Sequence, residues 1–464
     1  MQVVERPVIG LCGDTRGWAS LGRTLLAYKS ALAERYTVVQ LNSVDDIAAA
    51  NVATIVNFSG SVGWLARARL AMPIIVCLHG GGTVNYPELP ALLSLLGPDD
   101  TVIGNCVGDM KLLRHLVGDA APRFEQLTLP VSDEFQRQSP QSLLASLKIP
   151  TGAAIVGFVA RATPKKGLHH FIRTVHWLLQ RSQRQLYGIV VGDFSEDSFL
   201  DYRGQTYREY VFGLMSTLGV VRRIRILPGN LSTDALAQVY SAIDVLIHPS
   251  TSIDENFGYA PREALACGAS AAVTAYGGLR NADLDLPEVR RVATWVTAGG
   301  IRFDQIGLLK SARYLLQVEQ PPVRRRVATI SRRGFAHALH RIVDRHLRAA
   351  RQAGPRCVLA TEPGRSKSFL PVTRPDWSTI QEAVHFYVSE GAPHSNHLWQ
   401  AWPATRHRDN ITIQDPAWPA STTASDAEWK DYRYIRELGV APLHNPDPCQ
   451  RLIDVGALVP AGPS

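Results

Sequence analysis

The chain has 464 residues, too many for one ordinary core, and about two to three domains are expected. At 45% hydrophobic and 19% charged it reads as globular rather than disordered, and no apolar run approaches the ~18–20 residues of a membrane span. Its net charge of +8 is concentrated between Val323 and Arg356, where ten arginines accompany a single acid, Asp344.

The opening "MQVVERPVIGLCGD" lacks a basic segment followed by a long apolar one, so no signal peptide is expected. Six cysteines (12, 77, 106, 267, 357, 449) show no metal-type spacing and are expected to be reduced, in a cytoplasmic chain. Short β-branched runs at 8–13, 53–59, 73–80 and 101–105 predict buried parallel strands. Between the first two, Leu21, Leu25, Tyr28 and Leu32 recur at helical spacing behind Ser20, an expected N-cap. After "SLKIPTGA" (146–153), read as a linker, the alternation restarts, with strands expected at 154–161, 186–193, 224–229, 244–250 and 269–278. Two successive α/β halves predict two Rossmann-like domains facing across a cleft, 1–150 and 151–330. A basic closing helix (331–352) and an irregular Trp/Pro/His-rich extension (353–464) follow.

The chemistry concentrates in "DENFGYAPREALACG" (254–268), where Glu255 and Glu263 stand eight positions apart. The loop follows a strand, at the edge where open α/β sheets bind ligands. Pro261 suits a first helical turn, so "ENFG" sits before a helix N-terminus whose N–H groups favour an anion such as phosphate. Glu255 is expected to project from the loop and Glu263 to lie on the first turn. Two carboxylates so placed suit the vicinal hydroxyls of two sugars on either side of a diphosphate.

This arrangement resembles the E-x7-E motif of the retaining glycosyltransferases of the group 1 type (family 4, GT-B fold). "VGFVARATPKKGLHHFI", "VVGD", "RILPGNLS", "VYSAIDVLIHPS" and "TAYGG" follow in that family's order, and "LHGGG" and "LTLPVSDEF" resemble its N-terminal motifs, over roughly residues 7–350. The resemblance implies a donor site in the second domain and an acceptor site in the first. Arg161 and Lys166 would neutralise the donor diphosphate, with Lys165 an alternative to Lys166. Glu255 would bind the donor sugar and Glu263 the ribose. Asn256, Phe257, Gly258 and Tyr259 would line the donor, with Phe257 equally open to core packing. His79 would approach the reacting sugar, and Gly22 would close a glycine loop (17–22) near the phosphates, although Trp18 interrupts that pattern. It further implies retention, with the leaving phosphate acting as base, and no metal or other cofactor besides the nucleotide sugar.

Competing readings fare worse. "DLD" (283–285) imitates a metal-binding motif but lies past the donor motifs. "HGGG" (79–82) matches a lipase oxyanion loop, yet no G-x-S-x-G elbow accompanies it. A non-catalytic sugar-nucleotide-binding or scaffold protein, acting through the C-terminal extension, is the alternative that Arg161, Lys166, Glu255 and Glu263 argue against. The arginine-rich stretch, with Arg341, Arg345 and Arg348 on one helical face and "RRR" at 324–326, suits a solvated face or a peripheral contact with anionic membrane. Nothing in it suggests nucleic acid. The acceptor is open: a small molecule, glycolipid or peptide. The extension is a candidate for homo-oligomer contact.

Overall fold

The computed structural model describes residues 6–13, 19–41, 46, 50–58, 72–78, 80–84, 86, 89–117, 122–195, 206–297, 300–318, 331–353 and 377–389, and the strand segments 398–401, 404–407, 410–414, 421–424 and 458–461. The β-branched runs form two parallel six-stranded sheets. In the first, β1 (Val8–Cys12), β2 (Thr37–Gln40), β3 (Thr54–Phe58), β4 (Ile74–Cys77), β5 (Thr101–Gly104) and β6 (Arg123–Gln126) lie in the order β2-β1-β3-β4-β5-β6. The inner strands β3 and β4 are buried on both faces, as expected where helices cover a parallel sheet. The edge strands β2 and β6 escaped sequence reading because they are half-exposed and polar. Helix α1 (Ala19–Ala33) connects β1 to β2 and begins before Ser20. Ser20 is therefore not its cap but a first-turn residue, its carbonyl accepting from Thr24 Oγ1 at 2.9 Å. In α2 (Val107–Val117), buried Asp109 accepts the Asn105 N–H at 2.8 Å and the Gly82 N–H at 2.9 Å.

The second sheet holds β7 (Ala154–Val159), β8 (Leu186–Val191), β9 (Ile224–Leu227), β10 (Val245–His248), β11 (Ser270–Thr274) and β12 (Val289–Val292). Its order, β9-β8-β7-β10-β11-β12, is all parallel and is the doubly wound arrangement that reverses between β7 and β10. The connecting helices are α3 (Leu168–Leu179), α4 (Tyr207–Thr217), α5 (Thr233–Ala242) and α6 (Tyr259–Ala266). Sequence caps set two of them: Thr206 and Glu209 make a capping box for α4, and Ser232 caps α5. An antiparallel hairpin, β13 (Thr294–Thr297) and β14 (Gly300–Phe303), leads into α7 (Gln305–Gln317), which Asp304 caps and which packs on β11 and β12.

Helix α8 (Arg332–Ala353) then returns to the first sheet. Its apolar side meets α1, where Phe335 packs edge-on against Tyr28 at 5.2 Å. His346 is buried between the hydroxyls of Thr54 (2.9 Å) and Thr101 (3.1 Å), and Asp344 accepts from Tyr36 at 2.7 Å. Helix α9 (Trp377–Val384) and the turn after it also belong there. The Tyr387 hydroxyl, wholly buried, donates to Asp109 at 2.6 Å and accepts the Gly82 N–H at 3.0 Å.

Two compact units result: Met1–Ser132 with Val327–Tyr387, and Asp133–Arg326 with Val388–Ser464. These boundaries differ from those read in sequence. Residues after 132 join the second unit because Phe135 packs on Tyr240 at 5.9 Å and the Gln138 N–H binds Ser241 Oγ at 2.9 Å. The segment read as a linker, 146–153, follows directly on a short helix, Gln141–Ser146, and lies inside the second unit. A cut at 353 would strip Ile380, Ala383, Val384 and Tyr387 from the first unit's core. The extension is more regular than expected, with β15 (Leu398–Ala401) pairing antiparallel to β19 (Leu458–Ala461). A three-stranded sheet runs β16 (Ala404–His407), β17 (Asn410–Gln414), β18 (Ser421–Ala424).

Candidate donor site in the second unit

The topological switch between β7 and β10 places two loops side by side. After β7 the chain turns through Pro164–Lys166 to Gly167, which opens α3 with φ 79°. A side chain is excluded at Gly167, because a Cβ would stand 2.6 Å from the Pro249 carbonyl. The Thr251 N–H donates to the Lys165 carbonyl at 2.8 Å, fastening this turn to the loop after β10.

Arg161, Lys166, Asp254 and Glu255 converge there. Lys166 Nζ lies 2.8 Å from Glu255 Oε2 and 3.2 Å from Asp254 Oδ1, and Arg161 Nη2 lies 3.2 Å from Asp254 Oδ2. His248, the last residue of β10, meets the same Glu255 oxygen through Nε2 at 3.1 Å, and its Nδ1 is buried with no hydrogen-bond partner. Burial works against the Lys166 charge, but Asp254 and Glu255 outweigh it and raise its pKa. Burial would likewise raise both carboxyls. Lys166 and Arg161 instead bring Asp254 down to about 2, and Lys166 with His248 holds Glu255 well below the ordinary glutamate range. Glu255 therefore turns inward as a fixed, charged acceptor instead of projecting from the loop.

The next stretch is braced from behind. Gly277 and Gly278 lie so close to the 255–257 backbone that a Cβ on them would stand 2.1 Å from the Glu255 carbonyl and 2.3 Å from that of Asn256. The Gly278 N–H donates to the Glu255 carbonyl at 2.9 Å. Arg262, wholly buried, forks onto Asp283 through Nε at 2.6 Å and Nη2 at 2.8 Å. It also donates to the carbonyls of Gly278 (3.1 Å), Gly258 (3.2 Å) and Phe257, while its guanidinium covers the Phe257 ring at 4.1 Å. The Phe257 side chain is thus packing, set against Tyr259 at 4.7 Å. Gly258 is the N-cap of α6, and no side chain caps that helix, which starts at Tyr259. Glu263 therefore lies just past the first turn rather than on it, buried, and accepts from the Tyr240 hydroxyl at 2.9 Å.

Of the residues singled out in sequence, Arg161, Lys166 and Glu255 are brought together, with Asn256, Phe257 and Gly258 continuing the same loop and Tyr259 opening α6. Gly22 lies inside α1 of the first unit rather than in a loop. His79, residues 17 and 18 of the expected glycine loop and the arginines at 324–326 fall outside the described residues. Asp283 is engaged by Arg262, and Asp285 pairs with Arg291 at 2.8 Å. Among the described residues no three His, Cys, Asp or Glu side chains are grouped to hold a metal. The Gly82 N–H, an oxyanion donor in the lipase reading, is bound to Asp109 and Tyr387 instead. On α8, Arg341, Arg345 and Arg348 are exposed, and Arg345 pairs with Glu125. Asp254, His248, Tyr240 and Arg262 were missed. An arginine beside Glu263 in "APREALACG", whose other residues are small or apolar, was the available signal for the last.

The two parallel sheets are those of the GT-B glycosyltransferase fold. Sucrose-phosphate synthase from Thermosynechococcus elongatus shares it with TM-score 0.57 at 18% identity, covering 74% of this chain and all (100%) of that one. An α,α-trehalose-phosphate synthase (UDP-forming) from Burkholderia xenovorans gives TM-score 0.52 at 12% identity over 74% of this chain and 100% of that one. Residues 141–282, which contain Arg161, Lys166, Asp254 and Glu255, match the family "Glycosyl transferases group 1". A D-inositol 3-phosphate glycosyltransferase from Rhodococcus erythropolis is 30% identical over 236 residues, 48% of this chain and 51% of its own length. One from Actinosynnema mirum is 30% identical over 239 residues, 48% and 55% respectively. The chain thus spans about half the length of these curated relatives.

Proposed function

We propose that the chain is a retaining glycosyltransferase that moves a sugar from a nucleotide-sugar donor to an acceptor hydroxyl without a metal ion. The observation that carries this reading is the pairing of Arg161 and Lys166 with Asp254 and Glu255 at the β7/β10 switch point, inside the group 1 domain. Departure of a nucleoside diphosphate builds negative charge on phosphate, and preorganised cations beside an uncapped helix N-terminus stabilise it. In this reading Arg161 and Lys166 take the diphosphate and Glu263 the ribose. The backbone of Asn256 to Tyr259 lines the donor. Glu255 accepts from the sugar hydroxyls, since a carboxylate held by Lys166 and His248 is a poor nucleophile. Retention follows if the leaving phosphate takes the acceptor proton on the same face. His79 is proposed to approach the reacting sugar. The acceptor hydroxyl belongs to a small molecule, glycolipid or peptide, and the exposed arginines of α8 are proposed to rest on an anionic membrane surface.

A panel of UDP-, GDP- and ADP-sugars, each with and without EDTA, tests the reading. Slow donor hydrolysis that chelator leaves unchanged is expected. Absence of both binding and hydrolysis across the panel, or loss with EDTA that manganese or magnesium restores, refutes it.

A further inference from the structure

The reading above gives Asp254 no contact with the donor, yet its carboxylate bridges both cations. Oδ2 stands 3.2 Å from Arg161 Nη2, Oδ1 stands 3.2 Å from Lys166 Nζ, and the Ser252 hydroxyl donates to the same Oδ1. A two-oxygen anion spanning these two groups does with a protein carboxylate what a diphosphate would do with two phosphoryl oxygens. The charges are also matched already. Two carboxylates, Asp254 and Glu255, stand against Arg161 and Lys166, and a further anion placed on the cations would lie beside Asp254 at repulsive range.

The two carboxylates differ in depth. Side-chain exposure falls from 47% at Arg161 through 16% at Asp254 to 11% at Lys166 and 8% at Glu255, so an anion arriving from solvent meets the Arg161–Asp254 pair first. Glu255 is held by Lys166, His248 and the glycines behind its backbone. Asp254 sits on a turn closed by the Glu255 N–H on the Ser252 carbonyl at 3.1 Å, where a side-chain rotation disturbs no strand or helix. Its carboxyl, with a pKa of about 2, stays charged at any working pH, so another anion rather than a proton must displace it.

Building on the donor reading, we propose that Asp254 is an internal counter-anion that the donor diphosphate displaces from Arg161 and Lys166. It sets donor affinity and favours ligands with two linked phosphates over those with one. A single phosphate replaces the Asp254 contacts with little gain, whereas a diphosphate brings more charge and reach than the carboxylate it evicts.

Calorimetric titration of the full chain and of Asp254→Asn and Asp254→Ala tests this, with inorganic pyrophosphate, orthophosphate, the diphosphates of uridine, guanosine and adenosine, and the free nucleosides. Coulomb repulsion at about 4 Å, between the limits of water and a protein surface, corresponds to about fivefold to several-hundredfold in affinity. The variants are expected to bind diphosphates at least about fivefold tighter, with nucleoside affinity unchanged and a narrower gap between pyrophosphate and orthophosphate. The unsubstituted chain must itself prefer pyrophosphate to orthophosphate, a requirement that stands even if a variant fails to fold. Equal or weaker diphosphate binding by the folded variants overturns the inference alone and makes Asp254 a brace for the two cations. Failure of every form to bind any diphosphate overturns the donor reading with it.

Discussion

Replacing Arg262 with alanine would remove the guanidinium that joins Asp283 to the carbonyls of Phe257, Gly258 and Gly278. Asp283 keeps only 5% of its side chain exposed, so its carboxylate would be stranded. Breaking a buried pair from one side costs about 3–5 kcal/mol, and each carbonyl left without a donor adds about 1–3 unless water enters. A local loss of about 4 kcal/mol or more is expected for residues 255–283. Most of it comes from the stranded charge. Adding Asp283→Asn to Arg262→Ala should therefore restore about 1–2 kcal/mol, although Asp283→Asn alone destabilises. Arg262→Lys keeps the charge but loses the fork, and should fall between alanine and the native residue. Hydrogen exchange resolved over peptides from 255 to 283 reads this unit without assuming that both units unfold together. An Arg262→Ala loss below about 1 kcal/mol, or a double variant that simply sums the single losses, would refute the reasoning.

Lys166→Ala and Arg161→Ala should each weaken the proposed transfer by about 2–4 kcal/mol of transition-state stabilisation. Only Lys166→Ala, which strands Glu255, should also lower the melting temperature; equal thermal effects would contradict the burial difference. Burial holds His346 down to about 4, so between pH 6.5 and about 4 the unfolded chain takes a proton that the folded one refuses. Its contribution, about 3 kcal/mol, is complete above pH 6.5 and lost as pH falls toward 4. Exchange from α8 measured across that window should show the slope, and His346→Gln should flatten it. Tyr387→Phe should cost the first unit about 1–3 kcal/mol, seen as faster exchange around Gly82 and Asn105, with the second sheet unchanged. Co-sedimentation with phosphatidylglycerol vesicles should weaken with salt and with Arg341, Arg345 and Arg348 changed to Ser; salt-independent binding counts against an electrostatic contact.

The inner strands were legible because a strand covered on both faces is largely apolar and β-branched, as in "ATIVNFS" and "DVLIHPS" with only Thr54, Asn57 and His248 polar in their strands. Edge strands such as "TVVQ" and "VRRV" carry a weaker pattern, since one side of each meets solvent. In the cluster, Arg161, Lys166 and Glu255 were readable because each follows a strand of a doubly wound sheet, and topology alone brings such loops together. Arg262 and Asp283 are 21 positions apart and paired only by the fold. Asp254 was passed over because its neighbour Glu255 drew the functional reading. No local spacing announces a carboxylate that bridges cations brought together from a separate loop.

The return of α8 to the first sheet has a consequence for the order in which the polypeptide matures. The second sheet, β7 to β12, is encoded without interruption from Ala154 to Val292. The first unit closes only through contacts of great sequence separation: Thr54 with His346 across 292 residues, Gly82 with Tyr387 across 305, and Tyr36 with Asp344 across 308. At roughly 5–20 residues per second, a ribosome needs about 15–60 seconds to deliver these partners after the strands they cover. Toward the end of that interval β1 to β6 still lack the helix that seals α1, while the later-made second sheet already has its full complement of strands. Covering of the two sheets therefore runs against the order of their synthesis. The first sheet to emerge receives its α8 cover only after all strands of the second have been made, and is the part of a nascent chain most in need of protection from association.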